Sequence, residues 1–156
     1  MEKTLIKGVA KDNNVTRVSV IGLNDTPGIA FKLFNKLAQH KVNVDIILQS
    51  VGRDGTKDIT FTVPKDQTAQ AEAAVNALKE SMMFKDFSID DGVSKVSIVG
   101  AGMESNPGIA AKMFEALYDA GINIQMISTS EIKISVLIDE KYADTAVTAV
   151  HDKFVN

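Results

Sequence analysis

The chain has 156 residues, 45% of them apolar, and its 17 basic and 20 acidic side chains give a formal net charge of −3. That length fits one domain or two very small ones, and the apolar share is enough for a buried core. The slight acidic excess argues against the basic face that a phosphate backbone requires, so nucleic acid is not an expected partner. With no cysteine there is neither a disulfide framework nor a thiolate metal site, and the two histidines, His40 and His151, are far apart in sequence. Neither a metal nor a cofactor is expected. No apolar run approaches the length of a bilayer span, and the N-terminal MEKTLIKGVAKD lacks the apolar core and cleavage site of a secretory signal. These features predict a soluble, cytoplasmic protein with no membrane partner.

In chain order, TLIKGVA from Thr4 to Ala10 reads as a strand, and RVSVIG from Arg17, short, β-branched and closed by Gly22, reads as a strand followed by a turn. The loop NDTPGIA, Asn24 to Ala30, then leads into a helix. Pro27 suits its first turn, where a missing N–H costs nothing, and Ala30, Leu33, Phe34 and Leu37 form one apolar stripe. VNVDIILQSV alternates as a strand, GRDGTK carries hairpin turn chemistry, and DITFTV is the returning strand. A helix through QTAQAEAAVNALK and a short strand in FKDFSIDD follow, and Asp90 and Asp91 before Gly92 read as a turn.

From Ser94 the order begins again. SKVSIVGAGMESNPGIAAKMFEALYDAGINIQMISTS matches TRVSVIGLNDTPGIAFKLFNKLAQHKVNVDIILQS along its whole length, with two extra residues before the proline. Phe34 pairs with Phe114, Leu37 with Leu117, Asn43 with Asn123 and Ser50 with Ser130, so one supersecondary unit is duplicated. Pro107 suits the start of a helix burying Ala110, Met113, Phe114 and Leu117. INIQMISTS and KISVLI make a tight hairpin near Ser130 and Glu131, and KYADTAVTAVHDKF is the last helix. The expected fold is α+β: two ferredoxin-like βαββαβ units, each an antiparallel sheet with helices on one face. The second copy stops after its second helix, one strand short, and the N-terminal strand is the spare one. The expected units are therefore 15–92, and 1–14 with 93–156, the first inserted in the second.

The two loops carry the candidate chemistry. A strand, a turn and a Pro-Gly helix start gather unpaired backbone N–H groups at the positive end of a helix dipole, which suits a carboxylate. Gly28 and Gly108 let a ligand approach the backbone, and Asp25 can accept hydrogen bonds from an ammonium group. An α-amino acid carries both charges. The plainer reading is that Pro-Gly is only a good helix start and Asp25 an ordinary turn or cap residue.

The βαββαβ pattern, the Pro-Gly helix start and the Asn-(Val/Ile) entry to the second strand of each unit resemble ACT domains, small-molecule sensing modules that often bind amino acids. More narrowly, LQSVGRDGTKDITFTVP and KVSIVGAGMESNPGIAAKMFEALYDAGINIQMISTSEIKISVLI are similar to the paired ACT domains at the regulatory end of aspartate kinase. The resemblance implies the same insertion of one unit in the other, and feedback inhibition by threonine, lysine or both, held at interfaces between ACT units. It also implies a catalytic aspartate kinase chain or domain as partner. It places effector contacts on Asp25, Gly28, Ile29, Ala30 and Gln49, with Asn123 and Ile124 opposite. The matching second set is Asn106, Gly108, Ile109, Ala110 and Thr129, facing Asn43 and Val44, and there Asp25 and Gln49 have no equivalent. Gly52 to Asp58 matches a region where relatives lose feedback control on mutation.

Other readings fail on the residues. GAG at Gly100 to Gly102 would need its third motif glycine at Ser105, and a hairpin at Ser130 does not suit a parallel crossover. An RNA-binding βαββαβ sheet needs aromatic side chains on its central strands, where this chain offers Phe61 alone. No catalytic set is expected, and these 156 residues hold nothing like the glycine-rich, lysine-bearing nucleotide site that the resemblance implies for an aspartate kinase's catalytic domain. His40 reads as a helix C-terminal charge and His151 as a solvated helix residue, and Met82, Met83, Met113 and Met126 as core or interface filler. Two functions remain: a regulatory chain that binds an effector, and a module that only assembles. Half-exposed sheets with free edges favour a homodimer in both.

Overall fold

A computed structural model describes residues 6–52, 54–81, 84–101 and 106–155. The chain divides into two compact units, Asn14–Asp91, and Met1–Asn13 with Gly92–Asn156. The N-terminal strand β1 (Ile6–Asp12) belongs to the second of these.

The first unit runs β2 (Thr16–Asn24), α1 (Ile29–Gln39), β3 (Ile47–Val51), β4 (Thr56–Val63), α2 (Thr68–Ala77) and β5 (Asp86–Asp90). Its antiparallel sheet has the order β3-β4-β2-β5. Successive residues of a strand face opposite sides, so Val18 and Val20 with Ile59, Phe61 and Val63 share one face. Against that face pack Leu33 and Leu37 of α1 and Ala71, Ala74 and Val75 of α2, all buried. Phe34 completes the layer with its ring edge-on to Phe61, centroids 5.6 Å apart. Phe34 and Ala30 are only partly buried, and Ile29 takes the buried place that the expected stripe gave to Ala30.

The second unit runs β6 (Val93–Gly100), α3 (Gly108–Asp119), β7 (Met126–Thr129), β8 (Lys133–Asp139) and α4 (Ala143–Val155). Its sheet has the order β1-β6-β8-β7, with β1 antiparallel to β6 from Ile6 opposite Gly100 to Asp12 opposite Lys95. β1 thus holds the sheet position that β5 holds in the first unit. The core joins Val96, Ile98, Ile134, Val136 and Ile138 to Met113, Leu117, Ala146 and Val150. Met113 and Met126 are buried filler as expected, and Met82 and Met83 lie outside the described residues. His40 caps the C-terminus of α1, and His151 is an exposed helix residue 3.8 Å from Asp152.

Two further local details depart from the sequence reading. Pro27 is not in the first helical turn: it sits in a turn ahead of α1, which starts at Ile29 after Gly28 in the left-handed region at φ 87°. Pro107 does cap its helix directly, with helical angles of φ −64° and ψ −18°, and Gly108 is the first residue of α3. Strand β3 also starts later than VNVDIILQSV suggests. Asp45 N–H donates to Thr62 O at 3.0 Å and Ile46 N–H to the Thr62 hydroxyl at 3.0 Å, so a side chain takes over where a ladder bond would begin.

Candidate functional site at the loop before the first helix

The first loop is placed by a bulge. The β2–β4 register shifts between Val20 and Leu23, with Gly22 at φ 74° and its N–H donating to the Asp58 carboxylate at 2.9 Å. A side chain at Gly22 would meet Lys85 Cγ at 2.7 Å. The bulge puts Leu23 opposite Lys57, and the loop then folds back so that Asp25 N–H donates to Gly55 O at 3.0 Å. That bond ties the loop to the β3–β4 hairpin. The hairpin is closed by Gly52 N–H to Thr56 O at 2.7 Å and by Thr56 donating from its hydroxyl (2.6 Å) and its N–H (3.3 Å) to Asp54. The Thr56 hydroxyl, followed by Asp54's own backbone N–H, holds the Asp54 carboxyl below its ordinary value of 3.8.

At the helix start, Ile29 N–H donates to Thr26 O at 3.3 Å and Lys32 N–H to Gly28 O at 3.0 Å. No side chain caps α1, which leaves the N–H groups of Ala30 and Phe31 at its open end. Asp25 is exposed beside them, and the Lys57 ammonium lies 3.4 Å from Asp25 Oδ1. Gln49, on β3, is opposite Ile59, and Val51 is opposite Lys57. Residues opposite each other share a face, so Gln49 and Lys57 both stand on the helix side of the sheet. The structure therefore brings Asp25, Gly28, Ile29 and Ala30 together at one end of α1, with Gln49 exposed on the same face of the sheet. An ammonium acceptor, a cation and free N–H groups suit a small zwitterion.

Lys57 is the residue that sequence reasoning missed. In TKDITFTV it falls in step with the buried Ile59, Phe61 and Val63, so a lysine at an apolar register position was the available signal.

The second loop is built differently. Glu104 and Ser105 lie outside the described residues, as does Gly102 of the GAG motif. Asn106 accepts the Ile109 N–H at 3.2 Å through its backbone oxygen, and Ile109 is buried while Ala110 is partly so. Thr129 is opposite Ile134, the place Gln49 has beside Ile59. The position of Lys57 is taken by Ile132, which is 56% exposed and brings no charge. Asn43 and Asn123 are exposed residues just after the helices, Asn43 N–H donating to Gln67 Oε1 at 2.8 Å, while Val44 and Ile124 pack partly buried against their own cores. Among the described residues no set of three or more His, Cys, Asp or Glu side chains is placed to hold a metal ion, and no helix is long and apolar enough to cross a membrane.

The fold and the paired loops define a tandem ACT-domain protein: family models described as ACT domain match residues 16–81 and 96–154. Over 156 residues the chain is 47% identical to an aspartokinase of Mycolicibacterium smegmatis, covering 99% of this chain and 37% of that protein. The solved structure of the regulatory subunit of aspartate kinase from Thermus thermophilus, in its ligand-free form, superposes with a TM-score of 0.92 at 40% identity, covering 96% of this chain and 99% of that one. A chain from the structure of aspartokinase alpha and beta subunits gives 0.90 at 44%, covering 96% and 98%. The chain belongs to the aspartate kinase family and corresponds to its regulatory ACT region, about 37% of the length of the curated relatives.

Proposed function

We propose that this region is an amino-acid sensor that mediates feedback inhibition of an aspartate kinase by threonine, lysine or both. The observation that carries the reading is the first loop, where Asp25 stands beside the open N-terminus of α1 with Gly28 in the left-handed region and no side-chain cap. Asp25 accepts the effector's ammonium, the N–H groups of Ala30 and Phe31 receive its carboxylate, and Gln49 reads its side chain. The second set, Asn106, Gly108, Ile109, Ala110 and Thr129, is the weaker one because Asp25 and Gln49 have no equivalent in it. The similarity to a chain solved with aspartokinase alpha and beta subunits supports a catalytic kinase chain or domain as partner. The kinase reaction, phosphorylation of the aspartate carboxylate by ATP, belongs to that partner, and this region acts by binding the effector better in the low-activity arrangement.

Calorimetric titration of the 156-residue chain with threonine and with lysine tests the reading. Heat with at least one of them, abolished by Asp25→Ala, is the expected result; no heat with either contradicts it.

A second reading, an assembly module that dimerises or holds a catalytic chain without effector, is favoured by the edge strands. On β3, Ile47, Leu48 and Val51 are 50% or more exposed, and Ile127 on the edge strand β7 is 48% exposed. Such edges pair readily with a second copy, and a homodimer is part of both readings.

A further inference from the structure

Lys57 has a role in the first loop that the family resemblance does not assign. Its side chain is only 10% exposed, and 3.4 Å separate its ammonium from the carboxylate of Asp25, itself 41% exposed. A charge-assisted bond of this type closes to about 2.7–2.9 Å when well formed, so the pair is loose. An ammonium on so buried a side chain is best held with an anion beside it, because removing one partner of a partly desolvated pair costs more than the pair is worth. A ligand ammonium that took Asp25 by itself would strand Lys57. A ligand carrying a carboxylate next to its ammonium returns an anion to Lys57 in the same step.

We propose that Lys57 is the carboxylate-binding residue of the first loop: an α-amino acid inserts into the Asp25–Lys57 pair, its ammonium on Asp25 and its carboxylate on Lys57 and the open N–H groups of α1. This rests on the effector reading above and names the chemistry that reading left to backbone alone. It also separates the two loops. The second unit has Ile132 at the matching position, just ahead of β8, so among the described residues the second loop has no counterpart of this pair.

The test is a ligand comparison in the calorimeter: threonine against threoninamide and lysine against lysinamide, on the parent chain, Lys57→Met and Lys57→Arg. The amides keep the ammonium and lack the negative charge. The parent chain is expected to prefer the acid over its amide by roughly 10- to 100-fold, the worth of one charged hydrogen-bonded contact. Lys57→Met is expected to cut that preference to less than about 5-fold by lowering affinity for the acid, and Lys57→Arg to retain it. Circular dichroism checks the fold, and Lys57→Gln, which keeps a polar stem without the charge, gives the same comparison should the methionine variant not fold. An acid-over-amide preference unchanged from parent to Lys57→Met or Lys57→Gln overturns the assignment while leaving the sensor reading intact. Failure of both amino acids to bind the parent chain overturns the sensor reading and this assignment with it.

Discussion

The Lys57 ammonium lies 3.4 Å from Asp25 Oδ1, a charge pair joining the inner face of β4 to the loop before α1. The lysine stands in line with Ile59 and Phe61, where the sheet meets the helices, with its side chain largely buried and its ammonium at the loop. The aspartate is therefore structural as well as the proposed ligand contact. Cutting a fully buried pair costs about 3–5 kcal/mol and an exposed one at most about 1 kcal/mol; with one partner buried and the other open, Asp25→Asn is expected to cost about 1–2 kcal/mol. Urea unfolding followed by circular dichroism measures it, and the double variant with Lys57→Met should regain part of the loss. An unchanged midpoint in Asp25→Asn would show that Lys57 does not depend on this carboxylate.

The two Pro-Gly-Ile-Ala segments should answer differently to the same substitution. Gly28 has φ 87°, where an L-residue loses about 1–2 kcal/mol, and nothing lies within 4 Å of an added Cβ, so the whole cost of Gly28→Ala is backbone strain. Gly108 opens α3 with no positive φ and equally open space. Gly108→Ala should therefore stabilise by about 0.4–1 kcal/mol through the unfolded chain. Equal effects of the two substitutions on thermal unfolding would contradict the difference between the loops.

The ends of the same helices offer a stabilising change. Lys41 adopts φ 64° after α1, and its N–H donates to Ala38 O at 3.0 Å while Val42 N–H donates to Leu37 O at 3.0 Å. The matching residue after α3 is Gly121 at φ 72°. Lys41→Gly is expected to raise stability by about 0.5–1 kcal/mol, because glycine enters the left-handed cap without the Cβ penalty. A loss of stability on chemical denaturation would show that the lysine stem contributes more than the strain removes.

Strand β1 supplies a test of how the second sheet is held. Its residues pair along β6, and Ile6 and Val9 pack on the second core, so deleting residues 1 to 12 exposes an edge of that sheet. Hydrogen exchange should then speed up in β6 and β8 while β2 and β4 keep their protection. Equal protection in both units after the deletion would contradict a structural role for β1.

Much of the fold was legible because its signals are local. RVSVIG and KVSIVG declare strands by β-branching and a closing glycine, and Leu33, Leu37, Met113 and Leu117 declare helix faces by spacing. What was not legible depends on partners distant in the chain. Pro27 reads as helical by propensity, yet the bond from Asp25 N–H to Gly55 O holds the loop back and Gly28 turns left-handed before the helix begins. Val42 and Val44 alternate like a strand, but Thr62 intervenes with its hydroxyl, and the strand starts at Ile47. Lys57 escaped notice because a lysine in an alternating segment is usually assigned to the solvent side, although it falls in step with Ile59 and Phe61; the register of β4 against Leu23 places it under the loop. The Pro-Gly motif could be found because repetition marked it, and Asp25 because it stands in the same loop two residues before Pro27.

The central claim, that the first loop holds an α-amino acid, is tested most directly by nitrogen–proton correlation spectra of the labelled chain during titration with threonine and with lysine. The account predicts saturable shifts of the Asp25, Gly28, Ala30 and Phe31 amides, larger than those of Asn106, Gly108 and Ala110, and their disappearance in Asp25→Ala. Unmoved amides at the first loop with both amino acids, or shifts confined to the second loop, would contradict it.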